Sequence, residues 1–274
     1  MNYDTLSEKL TFDKNNKYHR WIRTGIITVL SLIVFVLLWW DLSLIVGTAA
    51  IPTPWKMWDA LVNLFMYGDL ISGYTMWHHI WVSLKRFLLG LLISLLVAVP
   101  VGLLLGYSST LREFTTPALE LLRPIAPIAW APIFLFAIGY TWGPIMVVFV
   151  GIFFPLLTNT IFGVQKIDTH LVDAAKTLGA SKLQVFYKIM FPCAVPYVMN
   201  GIRIGSGIGW MCIVASELYA ASGGGIGYFV GLQASLGFWP NVYAGIFIIA
   251  ILGIVTTSLF DYIYKIITKR MGME

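Results

Sequence analysis

Charged residues are scarce in this chain of 274 residues: 11% of the sequence is Asp, Glu, Lys or Arg, whereas 58% is hydrophobic. An average soluble domain carries about 25% charged residues. A soluble protein of this length could not bury so much apolar surface, so the composition excludes a soluble globular protein. We therefore predict an integral membrane protein.

Cysteine is equally scarce, since the sequence has only Cys193 and Cys212. One lies at the start of an apolar stretch and the other within it, so we expect no disulfide, and two cysteines do not make a metal site. A pair of histidines without a third ligand, such as His78 and His79, is weak evidence for a metal. We predict no metal site.

Several catalytic motifs are absent from the sequence as well. It contains neither GxSxG nor HExxH, and the polar residues of its apolar stretches do not cluster at one depth, which argues against a membrane enzyme. It also lacks a GxxxxGK[ST] phosphate-binding loop, so we expect that this chain does not hydrolyse ATP itself.

Long apolar runs, by contrast, are plentiful. A bilayer core of about 30 Å requires about 20 apolar residues per helical span. Six stretches qualify: residues 21–40, 83–107, 121–139, 143–162, 196–220 and 242–264. We therefore predict an all-α polytopic membrane protein with about six transmembrane helices.

The third stretch contains Pro124, Pro127 and Pro132. Each proline removes a backbone donor and disturbs a helix, and such irregularity is tolerated in a membrane where protein or a water-filled cavity covers the backbone. This stretch is therefore either a kinked span that faces a central pathway or a plain kinked helix inside the bundle.

The cations fall mostly on one side of a six-span arrangement. If the N-terminus is cytoplasmic, that side holds Lys9, Lys14, Lys17, Arg20, Arg23, Arg112, Arg123, Lys166, Lys176, Lys182, Lys188, Lys265, Lys269 and Arg270. This asymmetry follows the positive-inside rule. We expect a multi-pass protein of the plasma (inner) membrane with both termini in the cytoplasm. The net charge of +5 then reflects topology rather than nucleic-acid binding.

An amphipathic helix is predicted between the first two spans, where Trp55, Trp58, Leu61, Val62 and Phe65 recur at helical spacing. Tryptophan favours the depth of the lipid headgroups, so this helix either lies at the membrane interface or packs as a surface helix on the spans.

Small residues recur at every fourth position in two spans. The first set is Gly90, Ser94, Ala98, Gly102 and Gly106, and the second is Gly201, Gly205 and Gly209. Each set makes a shallow stripe along which another backbone can approach closely, which is how helices commonly associate in lipid. We interpret both stripes as helix-packing faces, while a role in lining a pathway is the alternative.

A polar segment, residues 173–192, separates the fourth and fifth apolar stretches. We predict that a helix begins at Asp173, with this acid in the first turn, and is broken at Gly179. Ser181 can cap a second helix that runs to about Met190. Two short helices at an angle would fit a groove on a partner protein; a hairpin without a partner is the alternative.

The same segment resembles the coupling loop of ABC importer permeases, which reads Glu-Ala-Ala, three residues, Gly, nine residues, Ile-x-Leu-Pro. Asp173 and Phe191 depart from this pattern. The matching positions are Ala174, Ala175, Gly179, Ile189 and Pro192.

Similarity to permeases of the nitrate, taurine and alkanesulfonate importer family extends over about residues 52–265. It is carried by Ile51 to Pro54, Ser83 to Gly90, Leu122 to Trp130, Phe154 to Thr160, Leu178 to Ser181, Gly201 to Trp210 and Val214 to Glu217. Ala220, Ala221 and Ser222, followed by a long glycine tract at 223–227, depart from the family.

The resemblance implies the type I importer permease fold and an assembly of two copies of this chain, two cytoplasmic ATPase subunits and an external binding protein. ATP and Mg would belong to the ATPase, so this chain is expected to be neither an enzyme nor a cofactor carrier. Coupling to the ATPase would rest on Asp173 together with the five matching positions.

The implied organisation divides the chain into five parts. They are a cytoplasmic tail (1–20), transmembrane helix 1 (21–40), an external loop with the amphipathic helix (41–80), the permease domain (81–265, with the coupling loop at about 165–195) and a cytoplasmic tail (266–274). The first apolar run is longer than a signal-peptide core and lacks a small-residue cleavage site, so we expect it to remain as an anchor.

Glu217 is the clearest acid within a span. An unpaired acid at a helix centre costs about 2.5–3.5 kcal/mol, so a partner is expected. Arg203 lies about 21 Å away along the same helix. Arg86, by contrast, lies at the outer end of span two, on the same side of the membrane as Glu217. We predict that Glu217 pairs with Arg86 as a structural clasp or external gate, and direct contact with a substrate is the alternative.

Arg203 and Arg123 are predicted near the cytoplasmic interface, where they either extend to lipid headgroups or attract an anion along the pathway. Trp210, Asn159 and Gln233 are further candidates for lining that pathway.

The resemblance thus implies a permease that imports a small anion such as nitrate, bicarbonate, taurine or another sulfonate. The same architecture for an organic cation or a neutral vitamin precursor is one alternative. A stand-alone channel or ion-coupled transporter is another, although it would favour several acids within the spans or an inverted repeat.

Overall fold

The computed structural model describes residues 17–48, 50–219 and 223–271. Ten α-helices occur in these ranges: α1 (Lys17–Val46), α2 (Pro54–Tyr67), α3 (Met76–Tyr107), α4 (Ser109–Leu122), α5 (Ala131–Gln165), α6 (Thr169–Thr177), α7 (Lys182–Val185), α8 (Phe191–Tyr219), α9 (Ile226–Ser235) and α10 (Trp239–Arg270). The predictions on Lys9, Lys14, Ala220, Ala221 and Ser222 lie outside the described residues.

The chain forms two compact units, one ending at Ala60 and the other beginning at Leu61. In the first unit, α1 contains a candidate membrane span, Ile22–Val46, which extends beyond the predicted limit of residue 40. It passes through Asp41 and ends before Gly47, whose φ of 103° is incompatible with a right-handed helix.

The predicted amphipathic helix is present as α2. On the predicted apolar face, Trp55, Trp58 and Phe65 are exposed, whereas Leu61 is buried. At 100° per residue Leu61 lies at the edge of this face nearest to Leu64, which is also buried.

Within the described residues, five helical stretches are long and apolar enough to cross a membrane: Ile22–Val46, Met76–Tyr107, Pro127–Gln165, Lys182–Tyr219 and Trp239–Arg270. The sequence predicts six spans because it divides this region into two stretches, 121–139 and 143–162. In the structure, most of the first stretch and all of the second belong to the single helical stretch Pro127–Gln165. This stretch leaves helical geometry at Gly139, where φ is 80° and ψ is 174°.

The chain reverses at Gly139, so this stretch is a helical hairpin. A Cβ atom placed on Gly143 would lie 3.0 Å from the Cα of Leu135, whereas eight residues of straight helix span about 12 Å. Farther from the turn, Arg123 Nη2 donates to Thr158 Oγ1 at 3.1 Å. The two predicted stretches are therefore the short and long arms of one hairpin.

The prolines interrupt the short arm, as the sequence predicts. The helix α4 ends at Leu122, and a 3-10 turn, Pro127–Trp130, precedes α5. Between them Ala126 has an extended conformation, with φ −57° and ψ 130°, because the residue before a proline avoids helical angles.

The long arm of α5 is the central helix of the second unit, and the first stripe of small residues packs against it. Cβ atoms placed on Gly90, Gly102 and Gly106 of α3 would lie 2.6, 2.6 and 2.5 Å from side-chain atoms of Val148, Thr160 and Val164, respectively. Ser94 Oγ donates to the Phe149 carbonyl at 3.1 Å, and Ala98 is fully buried.

The second stripe, on α8, contacts another side of the same arm. A Cβ on Gly201 would lie 3.0 Å from the Cα of Leu156. Cβ atoms on Gly205 and Gly209 would each lie 2.9 Å from Ile152. Both stripes thus serve the helix packing that their spacing predicts.

We expect that Gly102→Ala destabilises the protein by about 1–3 kcal/mol, since the added methyl group has no space. Thr160, which it would meet, is held by a 2.7 Å hydrogen bond from its hydroxyl to the Leu156 carbonyl and cannot rotate away without losing it. Thermal unfolding in detergent measures the change. Gly253→Ala is the matched control because nothing lies within 4 Å of its Cβ position. Equal unfolding temperatures for the two variants would contradict the α3–α5 contact.

Candidate functional site

The first helix of the predicted coupling segment begins four residues earlier than predicted, at Thr169 instead of Asp173. Asp168 caps α6 by accepting a hydrogen bond from the His170 backbone N–H at 2.9 Å, and the helix starts at Thr169. Asp173 is therefore outside the first turn, so that prediction was wrong. Its exposed carboxylate instead pairs with Lys176 at 3.1 Å.

The predicted break at Gly179 is confirmed. This residue has a φ of 82°, and the N–H of Ala180 donates to the Ala175 carbonyl at 3.0 Å, which closes α6 with a Schellman motif. Ser181 then caps α7 and forms a reciprocal capping box with Gln184.

The second helix of the segment does not stop at Met190 as predicted. It runs through a π-helical turn, Phe186–Met190, and continues as α8, so that Lys182–Tyr219 is one helical stretch. Pro192 explains the π-helical turn: a proline lacks the N–H for the bond four residues back, and the widened turn absorbs the mismatch.

The two helices of the segment enclose a groove of about 330 Å³, lined by Ala175, Leu178, Gly179, Ala180, Gln184, Val185, Lys188 and Ile189. Ala175 also packs against the buried cluster around Val185 and Met190, so it supports the segment from within. Ala174 is exposed, and Leu178 is 88% exposed although it is apolar. This segment therefore presents apolar surface that the other described residues leave exposed.

A buried ion pair lies toward the other end of α8. Arg86 Nη1 of α3 lies 2.9 Å from Glu217 Oε1, and the two residues are 7% and 0% exposed. The predicted pairing of these two side chains is confirmed. A buried charge must be compensated by a partner and by further hydrogen bonds.

The glycine tract supplies part of this compensation. The Gly227 N–H donates to Glu217 Oε2 at 3.0 Å, and Arg86 Nη1 donates to the Gly224 carbonyl at 2.9 Å. Ser83 Oγ donates to Glu217 Oε2 at 2.7 Å. A Cβ on Gly225 would lie 2.5 Å from the carboxylate, so only glycine fits there. The long glycine tract thus wraps closely around the carboxylate.

The hydrogen-bond partners of His79 and Gln233, and the burial of Asp69, were not predicted from the sequence. His79 is buried, with Nδ1 3.2 Å from the Gly225 nitrogen and Nε2 3.2 Å from Ser72 Oγ. Asp69, also buried, accepts a 2.9 Å hydrogen bond from Gln233, which places Gln233 in a structural contact. No group of three or more potential metal ligands occurs in the part of the chain that the structure describes.

Arg203 is compensated rather than free. Its Nη1 lies 3.1 Å from Asp261 Oδ1 of α10, and its Nη2 donates to Asn200 Oδ1 at 3.0 Å. Asn200 in turn donates to Asn159 Oδ1 at 2.8 Å. Asp261 also pairs with Lys265, one turn later on α10, at 2.7 Å. The spacing of Asp261 and Lys265 favours that pair, whereas the contact with Arg203 depends on the packing of α8 against α10.

Arg123 and Asn159 line a cavity of about 370 Å³ between the arms of the α5 hairpin and α8. The other lining residues are Ile125, Pro127, Val150, Gly151, Phe154, Pro155, Thr158, Ile204 and Ile208. Two of the pathway candidates thus share one cavity.

Trp210 has a different environment from these candidates. It is 4% exposed, its ring stacks on Phe87 with centroids 5.0 Å apart, and its Nε1 donates to Thr256 Oγ1 at 2.7 Å. The structure therefore places it in the packed core between α3, α8 and α10.

The family described as binding-protein-dependent transport system inner membrane component matches residues 90–273. A putative ABC transporter permease protein of Methanocaldococcus jannaschii is 38% identical over 75% of this chain and 78% of its own length. The taurine transport system permease protein TauC of Escherichia coli is 32% identical over 87% of this chain and 90% of its own. The nitrate import permease protein NrtB of Leptolyngbya laminosa is 30% identical over 88% of this chain and 87% of its own.

Among solved structures, an inward-facing conformation of the MetNI methionine ABC transporter matches 70% of this chain and 97% of its own chain. The TM-score is 0.59 at 19% sequence identity, which is a likeness of fold.

We expect that Glu217→Gln destabilises the protein by about 3–5 kcal/mol, because it leaves the buried Arg86 guanidinium without a counter-charge. Chemical unfolding in detergent measures the loss. Asp173→Asn, which breaks the exposed pair with Lys176, is the control and should cost no more than about 1 kcal/mol. Unchanged stability in Glu217→Gln would exclude a structural role for the buried pair.

Proposed function

This chain belongs to the family of binding-protein-dependent transport system inner membrane components, and from that premise we propose that it is the permease subunit of an ATP-driven importer. Two copies would form the translocation pathway. ATP and Mg would be bound by separate ATPase subunits, and an external binding protein would deliver the solute.

The uncovered surface of the coupling segment supports this proposal most directly. A closed turn at Gly179, a groove between α6 and α7, and the exposed side chain of Leu178 together fit a protein partner that buries them. In this assignment Asp173 and Ala174 face the ATPase, Ala175 and Ile189 shape the groove, and Pro192 sets the π-helical turn. The segment and both termini would lie in the cytoplasm.

The continuous stretch Lys182–Tyr219 suggests how motion would be transmitted. Its 38 residues span about 57 Å, from the groove to the buried Glu217. A displacement of the segment by the ATPase would tilt this stretch and so change the packing at its far end. We assign the Arg86–Glu217 pair the role of a clasp that holds α3, α8 and the glycine tract together while the helix moves.

We expect that Leu178→Glu prevents the ATPase subunit from co-purifying, because it places a charge in the centre of the docking surface. The measurement is the amount of ATPase recovered with the tagged permease from native membranes in mild detergent. Leu70→Glu is the matched control: Leu70 is 89% exposed against 88% for Leu178, but it lies in the turn before α3. If no ATPase is recovered even with the unaltered chain, the importer assignment is lost and a stand-alone transporter takes its place.

We propose the solute class from the relatives. Two of them are named for the transport of taurine and nitrate. Taurine carries a sulfonate group and nitrate is an oxyanion, so both present negatively charged oxygen atoms. Specificity in such an importer would rest largely with the external binding protein.

We expect that cells carrying the complete importer accumulate at least one of labelled taurine, methanesulfonate, nitrate and bicarbonate, and that a strain lacking this chain does not. Uptake is measured over the initial linear phase. A strain expressing Gly253→Ala, a position with open space around the Cβ, serves as the positive control. Accumulation of an organic cation or a neutral vitamin precursor instead would overturn the anion assignment but leave the importer architecture in place.

A further inference from the structure

We propose that the cavity beside Arg123 is a subsite for the oxyanion group of the transported solute, with a preference for a small sulfonate or carboxylate that carries a short apolar body. This inference rests on the proposed function. It is carried by the charge, the shape and the position of the cavity.

Arg123 differs from Arg86 and Arg203 in that no carboxylate neutralises its charge in the described part of the chain. Arg86 and Arg203 each lie within 3.1 Å of a carboxylate oxygen. Within the described ranges, no carboxylate lies within ion-pair distance of Arg123. An arginine fork with free donors beside a cavity is suited to bind an anion through two parallel hydrogen bonds.

A neighbouring hydroxyl holds the guanidinium at the cavity. Arg123 Nη2 donates to Thr158 Oγ1 at 3.1 Å, and the Thr158 hydroxyl donates to the Phe154 carbonyl at 2.8 Å. The hydrogen bond to Thr158 uses one of the five N–H donors of the Arg123 guanidinium and leaves the others available for a ligand. The cation is therefore positioned without being neutralised.

The amide of Asn159 is already engaged on both sides. It donates to the Pro155 carbonyl at 2.8 Å and accepts from Asn200 at 2.8 Å. It forms part of the wall, so the strong donors toward a ligand come from Arg123.

Most of the remaining wall is apolar, which favours a solute that has carbon atoms next to its oxyanion group. Ile125, Val150, Phe154, Ile204 and Ile208 line the cavity opposite and beside the cation. One cationic edge with an apolar wall complements a molecule that has an oxyanion at one end and a few carbon atoms behind it. Its volume of about 370 Å³ accommodates such a solute.

The position follows from the hairpin. The helix α4 ends at Leu122, and the proline-rich stretch before the 3-10 turn Pro127–Trp130 supplies Arg123, Ile125 and Pro127 to one side of the cavity. Gly151 lies in the wall as well, where the Sγ atom of Cys212 on α8 leaves no room for a side chain. Irregular backbone in a membrane is expected where it lines such a cavity.

The test uses the full chain purified with its ATPase subunit and inserted into nanodiscs of zwitterionic lipid. Cys193→Ser and Cys212→Ala remove the native thiols, and Ile125→Cys places a single thiol in the cavity wall. We expect that methanesulfonate at constant ionic strength slows maleimide labelling of this thiol. With Arg123→Gln the methanesulfonate concentration needed for protection should rise by about tenfold or more, the usual loss for a charge-assisted hydrogen bond. Arg123→Lys, which keeps the charge but not the fork, should fall between.

Two controls separate the cavity from general effects. Arg270→Gln removes an exposed arginine elsewhere and should leave protection unchanged, and a thiol at Leu70→Cys should label at the same rate with or without methanesulfonate. Equal protection in the Arg123→Gln variant, or none in the unaltered background, would overturn the subsite. If anionic lipid slows maleimide labelling of the Ile125→Cys thiol but methanesulfonate does not, Arg123 binds lipid headgroups, and the subsite is overturned as well. Since ATPase recovery is scored in the same preparation, these outcomes are distinct from failure of the importer assignment.

Discussion

Close backbone contact along the long arm of α5 holds the second unit together. In lipid, apolar side chains gain little by leaving one apolar environment for another, so helices associate through van der Waals contact and hydrogen bonds. Glycines of α3 and α8 bring both helices against this arm, at Cβ distances that admit no further atom at Gly102 or Gly106. A substitution in either stripe therefore acts on the contact between its own helix and this shared arm.

This packing places two polar features at opposite ends of one helical stretch. The helical stretch begins at Lys182, within the coupling segment, and ends at Tyr219, close to the buried Glu217. Glycines serve different purposes at the two ends. Gly179 allows the left-handed turn that closes α6, whereas Gly225 leaves room for a carboxylate.

The polar groups within the bundle follow a rule of compensation. Glu217 has Arg86, Ser83 and a backbone N–H, and Arg203 has Asp261. Such pairing is what burial in a low-dielectric environment requires. Arg123 departs from the rule, and its departure coincides with the break in the hairpin that opens a cavity beside it. In the proposed subsite, the oxyanion of a solute would supply the missing partner.

The sequence by itself determined the helical membrane class, the stripes of small residues, the break at Gly179 and the pairing of Arg86 with Glu217, because periodicity and the cost of a buried charge act locally. The start of α6 at Thr169 and the continuation of the second helix past Met190 were not predictable, since a cap at Asp168 and a π-helical turn compete with equally plausible local signals. The reversal at Gly139, the Asp261 partner of Arg203 and the burial of Trp210 were decided only by the tertiary structure. These features depend on which helices lie side by side, and local patterns do not encode that. The Arg86–Glu217 contact also joins distant residues, but it could be predicted because a buried acid requires a cation at its own end of the spans and Arg86 lies at that end.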